Sequence, residues 1–155
     1  MELADILSED SVLAYDKARD KTEILEVLAD QAAKVTGQDA RTVYDTLATR
    51  ETLGSTGLGN GIAIPHGKLP GLKGVRAVFM RLKQPVEFDS VDDQPVDLVF
   101  MLLAPAGAGA DHLKALARVA RLLRTDSLVE GLRSTDNPAK LYGLLTAAVP
   151  SQNAA

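Results

Sequence analysis

Histidine occurs only twice in these 155 residues, and the two imidazoles are the side chains with the widest range of chemistry. His66 follows a short apolar run, 62–64, and a glycine-rich segment, 54–61. Neutral imidazole is a competent nucleophile near pH 7, because its ordinary pKa is about 6.5. Attack on a phosphoryl group would need mainly positioning and positive charge around the transferred oxygens. The question is therefore whether cationic or donor groups converge on His66.

Two residues at helical spacing are candidates for that role. Arg50 continues the inward apolar stripe of a helix predicted over 39–53, and its planar guanidinium suits phosphate oxygens. His112 falls in the first turn of another predicted helix, whose N-terminus favours anions and disfavours imidazolium. Each has a plainer interpretation: an arginine near a helix C-terminus interacts favourably with the helix dipole, and a first-turn histidine can be without a role. Lys68 is a further cation nearby, or simply a solvated loop lysine.

Known glycine-rich nucleotide motifs do not fit the segment. A P-loop requires Ser or Thr after Gly-Lys, but Leu69 follows Lys68, and Ile62 stands where the first glycine is needed. The alternation of Gly57, Gly59 and Gly61 leads into strand-like residues rather than opening a helix, so a dinucleotide fingerprint also fails. Two interpretations stay open. The glycines shape a tight turn, or they clear space for another protein to approach His66.

Other kinds of site find little support. Zinc would need ligands beyond the two histidines, and the aspartates that could supply them lack the spacing of a calcium loop. These aspartates are Asp89, Asp92, Asp93 and Asp111. The G-x-S-x-G motif of serine hydrolases is absent. We expect no metal and no organic cofactor.

Composition excludes several function classes. The net charge is −4 and no Lys/Arg run is present, which argues against nucleic-acid binding. The chain has no cysteine, so disulfides, thiolate catalysis and cysteine-ligated metals are excluded. No apolar run approaches the ~20 residues of a membrane span, and the acidic start MELADILSED does not look like a secretory signal. We therefore expect a cytoplasmic protein without direct membrane insertion.

Hydrophobic periodicity predicts a chain that begins and ends with helices and has strands between them. This order favours an α/β fold, a single-domain three-layer sandwich in which a mixed sheet has helices on both faces. The domain is expected over 1–150, with a disordered tail at 151–155. Strands are predicted at 11–15, 62–64, 75–83 and 98–104, and helices at 21–36, 39–53, 111–124, 126–133 and 139–148. The helix at 111–124 should turn inward a stripe of Leu113, Leu116, Ala120 and Leu123.

The stretch GSTGLGNGIAIPHGKL, residues 54–69, closely resembles the phosphorylation-site segment of enzyme IIA of the bacterial phosphotransferase system, fructose/mannitol class. It is similar in particular to the nitrogen-regulatory, PtsN-like branch of that class. Thr49-Arg50-Glu51, the stretch 88–98 and Asp111-His112-Leu113 also stand where the family has them. The resemblance covers most of residues 6–148.

The resemblance implies a phosphotransferase component that forms a phosphohistidine. His66 would carry the phosphoryl group through Nε2, and Arg50 and His112 would line the same pocket and stabilise that group. The donor would be a small HPr-type (NPr) histidine phosphocarrier, itself charged by an enzyme I that uses phosphoenolpyruvate.

Sugar-transporting relatives often carry IIB and IIC parts on the same chain, and the 155 residues contain neither. We therefore expect a regulator that switches partners, such as a potassium transporter or a sensor kinase, according to its phosphorylation state. One alternative is an enzyme IIA subunit of fructose- or mannitol-type uptake that passes phosphate to a separate IIB. Another is a non-catalytic interaction module. We expect a monomer or a weak homodimer.

Overall fold

A computed structural model describes the backbone of residues 2–154 and the side chains of residues 2–147. The helices are α1 (Leu3–Ile6), α2 (Lys21–Thr36), α3 (Ala40–Thr52), α4 (Ala110–Leu122), α5 (Asp126–Arg133) and α6 (Pro138–Ala154), with a 3₁₀ turn at Glu9–Ser11. The strands are β1 (Val12–Tyr15), β2 (Gly57–Gly59), β3 (Ile62–Ala63), β4 (His66–Leu69), β5 (Arg76–Val86) and β6 (Val96–Pro105). No helix in the described part of the chain is both long enough and apolar enough to cross a membrane.

The six strands form one mixed sheet: five follow the order β1-β5-β6-β3-β2, and β4 pairs with β6 outside this order. Strand β5 is parallel to β1 and antiparallel to β6. Strands β3 and β4 both run parallel to β6, where Ile62 pairs with Leu98 and His66 with Leu102. β3 and β4 therefore lie end to end along β6, with residues 64–65 between them.

The sheet divides the hydrophobic core into two layers. Alternate residues of a strand point to opposite faces, and on β5 and β6 both sets are apolar, so both faces are covered. Phe79 and Phe100 pack with α1, α4, α5 and α6 on one face, their rings 5.9 Å apart. Met80 and Met101 pack with α2 and α3 on the other. The predicted three-layer sandwich with a mixed sheet is confirmed.

Capping residues fix where α2 and α3 lie along the chain. Asp20 accepts a hydrogen bond from the Glu23 amide (2.9 Å), and α2 ends at Gly37 in the left-handed conformation, as its sequence predicts. Asp39 accepts from the Thr42 amide (3.0 Å) at the start of α3. Because α3 begins there, its last turn carries residues 50–52 to the edge of the sheet.

The inward face of α4 agrees with the predicted stripe in part. Leu123 is buried, and Leu116 and Ala120 are partly buried against the core, but Leu113 is 69% exposed. The fully buried positions within the helix are His112, Ala115, Val119 and Leu122. Apolar residues cover more than half of this helix's circumference, so periodicity alone could not tell which part meets the sheet. The observed face rotates His112 inward and leaves Leu113 beside it at the surface.

Short elements and one helix end also depart from the predictions. Sequence patterns missed α1, β2 and β4, since elements of two to four residues have no clear period. Helix α6 continues to Ala154, beyond the end predicted at 148. The disorder expected at 151–155 stays a prediction: only the backbone to Ala154 is described there, and Ala155 lies outside the described residues.

Gly67 allows α3 to approach β4 closely. A Cβ placed on Gly67 would lie 2.5 Å from Cγ2 of Thr46, well inside van der Waals contact. The Thr46 side chain has little freedom to move, because its hydroxyl donates to the Thr42 carbonyl (2.9 Å) and β-branching restricts χ1. The distance between α3 and the strand that carries His66 is therefore set by a glycine.

Replacing Gly67 with alanine should destabilise the fold by about 1–3 kcal/mol, as overpacking does. Thr46→Ser removes the methyl that the new Cβ meets and keeps the hydroxyl, so the double variant should recover most of the loss. Urea unfolding of the wild type, both single variants and the double variant gives the coupling directly. Additive effects would contradict this account of the contact.

Candidate functional site

His66 lies on an edge strand at a break in strand pairing. Proline has no amide proton to donate to a sheet ladder and is tolerated at edges and breaks. Pro65 stands at this break, and its carbonyl accepts from the Leu102 amide (2.9 Å). The strand predicted at 62–64 ends at Ala63, and His66 opens a second strand, β4, after the break, which the sequence did not predict. Its side chain is half-buried.

The contacts of the His66 ring fix its tautomer. Nδ1 lies 2.9 Å from the Ile64 carbonyl oxygen, which can only accept, so Nδ1 carries the proton. Nε2 lies 3.3 Å from Nε of Arg50, which can only donate, so Nε2 presents its lone pair. The arrangement is a neutral imidazole whose unprotonated nitrogen is Nε2.

Arg50 reaches the ring from the last turn of α3. Its Nε donates to His66 and its Nη1 donates to the Gly54 carbonyl (2.9 Å). The side chain is half-buried, continuing the inward face of α3 formed by Val43 and Leu47. The structure thus places Arg50 where the helical stripe predicts. The guanidinium is held at two points, and one of them is the unprotonated ring nitrogen of His66.

His112 approaches the same ring from the opposite helical layer. It lies in the first turn of α4 and is 6% exposed. Its ring centroid is 5.5 Å from that of His66, at an interplanar angle of 67°. Nε2 of His112 is buried and has no hydrogen-bond partner in the described part of the chain. The three predicted site residues therefore meet at one edge of the sheet.

Burial lowers the pKa of His112 below its usual value, and electrostatic repulsion from His66, when that ring is protonated, and from Lys68 adds to the effect. Lys68 is exposed and stands two residues along β4 from His66. His112 is accordingly neutral near pH 7, with one N–H to donate. In the part of the chain that the structure describes, no group of three or more His, Asp or Glu side chains is arranged to hold a metal ion.

Several glycines of the 54–69 segment accommodate the chain's own atoms. A Cβ on Gly57 would clash with Ser90, one on Gly61 with Arg133 and Asp97, and the space at Gly67 is taken by Thr46. Of the two interpretations left open, the one in which the glycines clear room for a partner does not hold at these three positions. Only Gly54 of this stretch, at φ 144°, has open space where a Cβ would lie.

Two exposed leucines stand close in the chain to the site residues, and the sequence did not reveal them because each leucine resembled a core residue. Leu53, 80% exposed, follows Arg50 at the end of α3, and Leu113 adjoins His112. Leu58 and Val91 are also exposed, further along the chain, where the Val91 amide donates to the Gly57 carbonyl (3.3 Å). We call Leu53 and Leu113, which stand near Arg50 and His112 in the chain, the apolar rim. Exposed apolar residues next to a polar site are typical of a surface that meets another protein.

Comparison with known proteins assigns the chain to a family. The model of the EIIA 2 family of the phosphoenolpyruvate-dependent sugar phosphotransferase system matches residues 5–148. A nitrogen regulatory protein of Bradyrhizobium diazoefficiens is 48% identical over 155 residues, which cover the whole of both chains.

Solved structures agree with the sequence matches. The crystal structure of the nitrogen regulatory protein IIA-Ntr from Neisseria meningitidis superposes with a TM-score of 0.85 at 34% identity, covering 93% of this chain and 99% of that one. The IIA mannitol structure from Escherichia coli gives a TM-score of 0.74 at 25% identity, covering 89% and 97%.

The lowered pKa of His112 should make stability depend on pH. The unfolded chain takes up a proton at this residue near pH 6.5, while the folded chain resists protonation until a lower pH. Acidification through that window therefore favours unfolding. We expect the wild type to lose more stability between about pH 7.5 and about pH 5.5 than His112→Gln, which does not titrate. Urea unfolding measures both, and equal losses would contradict the buried, neutral state of His112.

Proposed function

The chain belongs to the EIIA 2 family of the phosphoenolpyruvate-dependent sugar phosphotransferase system, and we propose that it is a phosphocarrier that accepts a phosphoryl group on Nε2 of His66. The observation that carries the proposal is the tautomer of His66. The bond from Nδ1 to the Ile64 carbonyl leaves the lone pair on the nitrogen that faces Arg50. A nucleophile and a cation suited to phosphate are thus already in contact.

The transfer step uses these groups in defined roles. The Nε2 lone pair attacks the phosphorus of a donor phosphohistidine, and the new N–P bond forms as the donor's N–P bond breaks. The electron pair of the broken bond stays on the donor imidazole. The guanidinium of Arg50 moves from Nε2 to the phosphoryl oxygens, where its planar geometry suits them. The proton on Nδ1 stays in its hydrogen bond to the Ile64 carbonyl.

His112 is the proposed second donor to the phosphoryl group. Its buried Nε2 lacks a partner among the described residues, and leaving a buried polar atom unpaired costs about 1–3 kcal/mol. A phosphoryl oxygen beside His66 would supply that partner. The N-terminal end of α4 adds a favourable dipole for the incoming negative charge.

An HPr-type protein is the proposed donor. The apolar rim places Leu53 and Leu113 at the surface beside the two groups that flank the nucleophile. Burying exposed leucines of this kind favours association with a protein over reaction with a small phosphate compound in water. The family's phosphotransfer chemistry, in which carriers pass phosphate between proteins, agrees with this choice.

Regulation of partner proteins is the proposed outcome of phosphorylation. The relative that is 48% identical over its whole length bears the name nitrogen regulatory protein. A phosphohistidine would add about two negative charges beside the apolar rim, which changes the partners that can bind there. Potassium transporters and sensor kinases are the target classes that the resemblance implies.

Sugar uptake is the second candidate function, favoured by the likeness to the IIA mannitol structure. The two functions differ in where the phosphate goes next. Radiolabelled phosphorylated protein mixed with isolated fructose- and mannitol-type IIB domains should keep its label if it is a regulator. Rapid transfer of the label to a IIB domain would instead support the uptake role.

The His66→Ala variant should take up no phosphate. Incubation of the wild type with phosphoenolpyruvate, enzyme I and an HPr-type carrier should add about 80 Da, one acid-labile phosphate. Intact-mass spectrometry before and after acid treatment makes the comparison, and His112→Ala is the matched control that retains the nucleophile. An equal, acid-labile mass gain in His66→Ala would remove His66 from the proposed role.

Arg50→Ala should fold normally and accept phosphate about 10²–10³-fold more slowly, in the range lost when one preorganised donor is removed from a transition state. Arg50→Lys should recover only part of the rate, because an ammonium cannot replace the bidentate guanidinium. Rapid-quench kinetics with a phosphorylated carrier measures the rates, and Arg41→Ala, an exposed arginine at the other end of α3, is the control. A wild-type rate in Arg50→Ala would leave Arg50 without a part in transfer.

A further inference from the structure

We infer that Glu51 is a positioning residue, whose carboxylate holds the 54–57 loop in place so that Arg50 stays directed at His66. The inference rests on the proposed phosphocarrier function, since it concerns how efficiently that site works. Glu51 follows Arg50 in the last turn of α3, but its side chain leaves the helix in a different direction and has different partners.

Three donors converge on the Glu51 carboxylate. Nζ of Lys21, at the start of α2, lies 2.9 Å from Oε1, and the Thr56 amide donates to the same oxygen (3.1 Å). The Thr56 hydroxyl donates to Oε2. The Glu51 side chain is only 5% exposed. Charge-assisted hydrogen bonds of this kind are about twice as strong as neutral ones, so the carboxylate is held firmly.

Through Thr56, this carboxylate fixes the position of the Gly54 carbonyl. Residues 51–56 form a closed turn, with the Gly54 amide donating to the Glu51 carbonyl (3.2 Å) at one end and Thr56 bound to the Glu51 side chain at the other. The Gly54 carbonyl inside this turn accepts from Nη1 of Arg50 (2.9 Å). If Thr56 were released, that carbonyl would lose its fixed place, and Arg50 would lose one of its two anchors.

A second set of contacts ties the same loop to the neighbouring segment of the chain. The Ser55 hydroxyl donates to the Phe88 carbonyl (2.7 Å), and Nζ of Lys21 lies 4.7 Å from the centre of the Phe88 ring. Asp89, which is exposed, lies 3.8 Å from the same Lys21 nitrogen. Lys21 therefore joins Glu51 to the segment that supports Ser55, and the loop is held from both sides.

A purely structural role for this ion pair is the competing explanation. Buried ion pairs add little net stability, because desolvation offsets the attraction between the charges. Their geometry is nevertheless well defined. Small displacements of a catalytic group can cost about 10²-fold in rate. A positioning role thus predicts a loss of transfer rate larger than the loss of stability explains.

The test is Glu51→Gln in the full chain, with three measurements. We expect phosphate transfer from a phosphorylated HPr-type carrier to slow by about 10- to 100-fold. The loss should appear mainly as a lower maximal rate, with a smaller change in the carrier concentration that gives half of that rate. The NMR signal of the Arg50 Nε–H should exchange faster with water than in the wild type. Urea unfolding should show that the variant is folded under the assay conditions.

Three further variants separate positioning from stability. Asp45→Asn removes a carboxylate from the exposed face of the same helix and should leave the transfer rate and the Arg50 signal unchanged. Val43→Ala opens the core of α3 and should lower stability without changing the Arg50 signal. Thr56→Val, which removes only the hydroxyl donor, should reproduce the Glu51→Gln effect. Thr56→Ser, which keeps the hydroxyl, should behave like the wild type.

The outcomes distinguish this inference from the proposed function. A wild-type transfer rate and wild-type Arg50 exchange in both Glu51→Gln and Thr56→Val would overturn the positioning role while leaving His66 as the acceptor. If the wild type itself takes up no phosphate on His66, the proposed function fails first. Should Glu51→Gln not fold, Thr56→Val decides by the same two measurements.

Discussion

The parallel pairing of β4 with β6 determines where the His66 ring can lie. β3 and β4 use successive parts of the same partner strand, and Pro65 provides the break between them while its carbonyl keeps one ladder bond. The break lets the Ile64 carbonyl face the ring nitrogen instead of the ladder. One interruption in an edge strand therefore sets both the place of the imidazole and its tautomer.

The two groups beside His66 come from different halves of the core. Arg50 belongs to the layer of α2 and α3, and His112 to the layer of α1, α4, α5 and α6. They meet because β4 is bonded to β6 alone, which leaves its other side open to both layers. Each group is partly desolvated, which strengthens electrostatic interactions and costs some stability. The arrangement places a neutral imidazole and a permanent cation beside the His66 ring.

Much of the fold and the outline of the site followed from sequence patterns, for identifiable reasons. The long helices and the strands β5 and β6 have clear periods or continuous apolar runs, and Asp20 and Gly37 mark where α2 begins and ends. Arg50 is a charged residue at a position of the inward stripe of α3 where an apolar residue is expected, and this can be recognised from the local sequence.

The remaining features depend on long-range contacts that no local pattern encodes. The face of α4 that meets the sheet, the start of β4 at His66 and the occupants of the space at Gly57 and Gly61 are of this kind. The environment of Glu51 is another, because Lys21 comes from a different helix and Thr56 from a loop of no regular period.

Because the site is assembled from both helical layers, it is completed only late in folding. The β4–β6 pairing joins residues 66 and 102, so it closes late compared with local helices such as α2. A chain that has formed only one layer has either Arg50 or His112 near His66, but not both. The proposed acceptance of phosphate on His66 therefore requires both layers, and we expect partly folded chains to take up no phosphate.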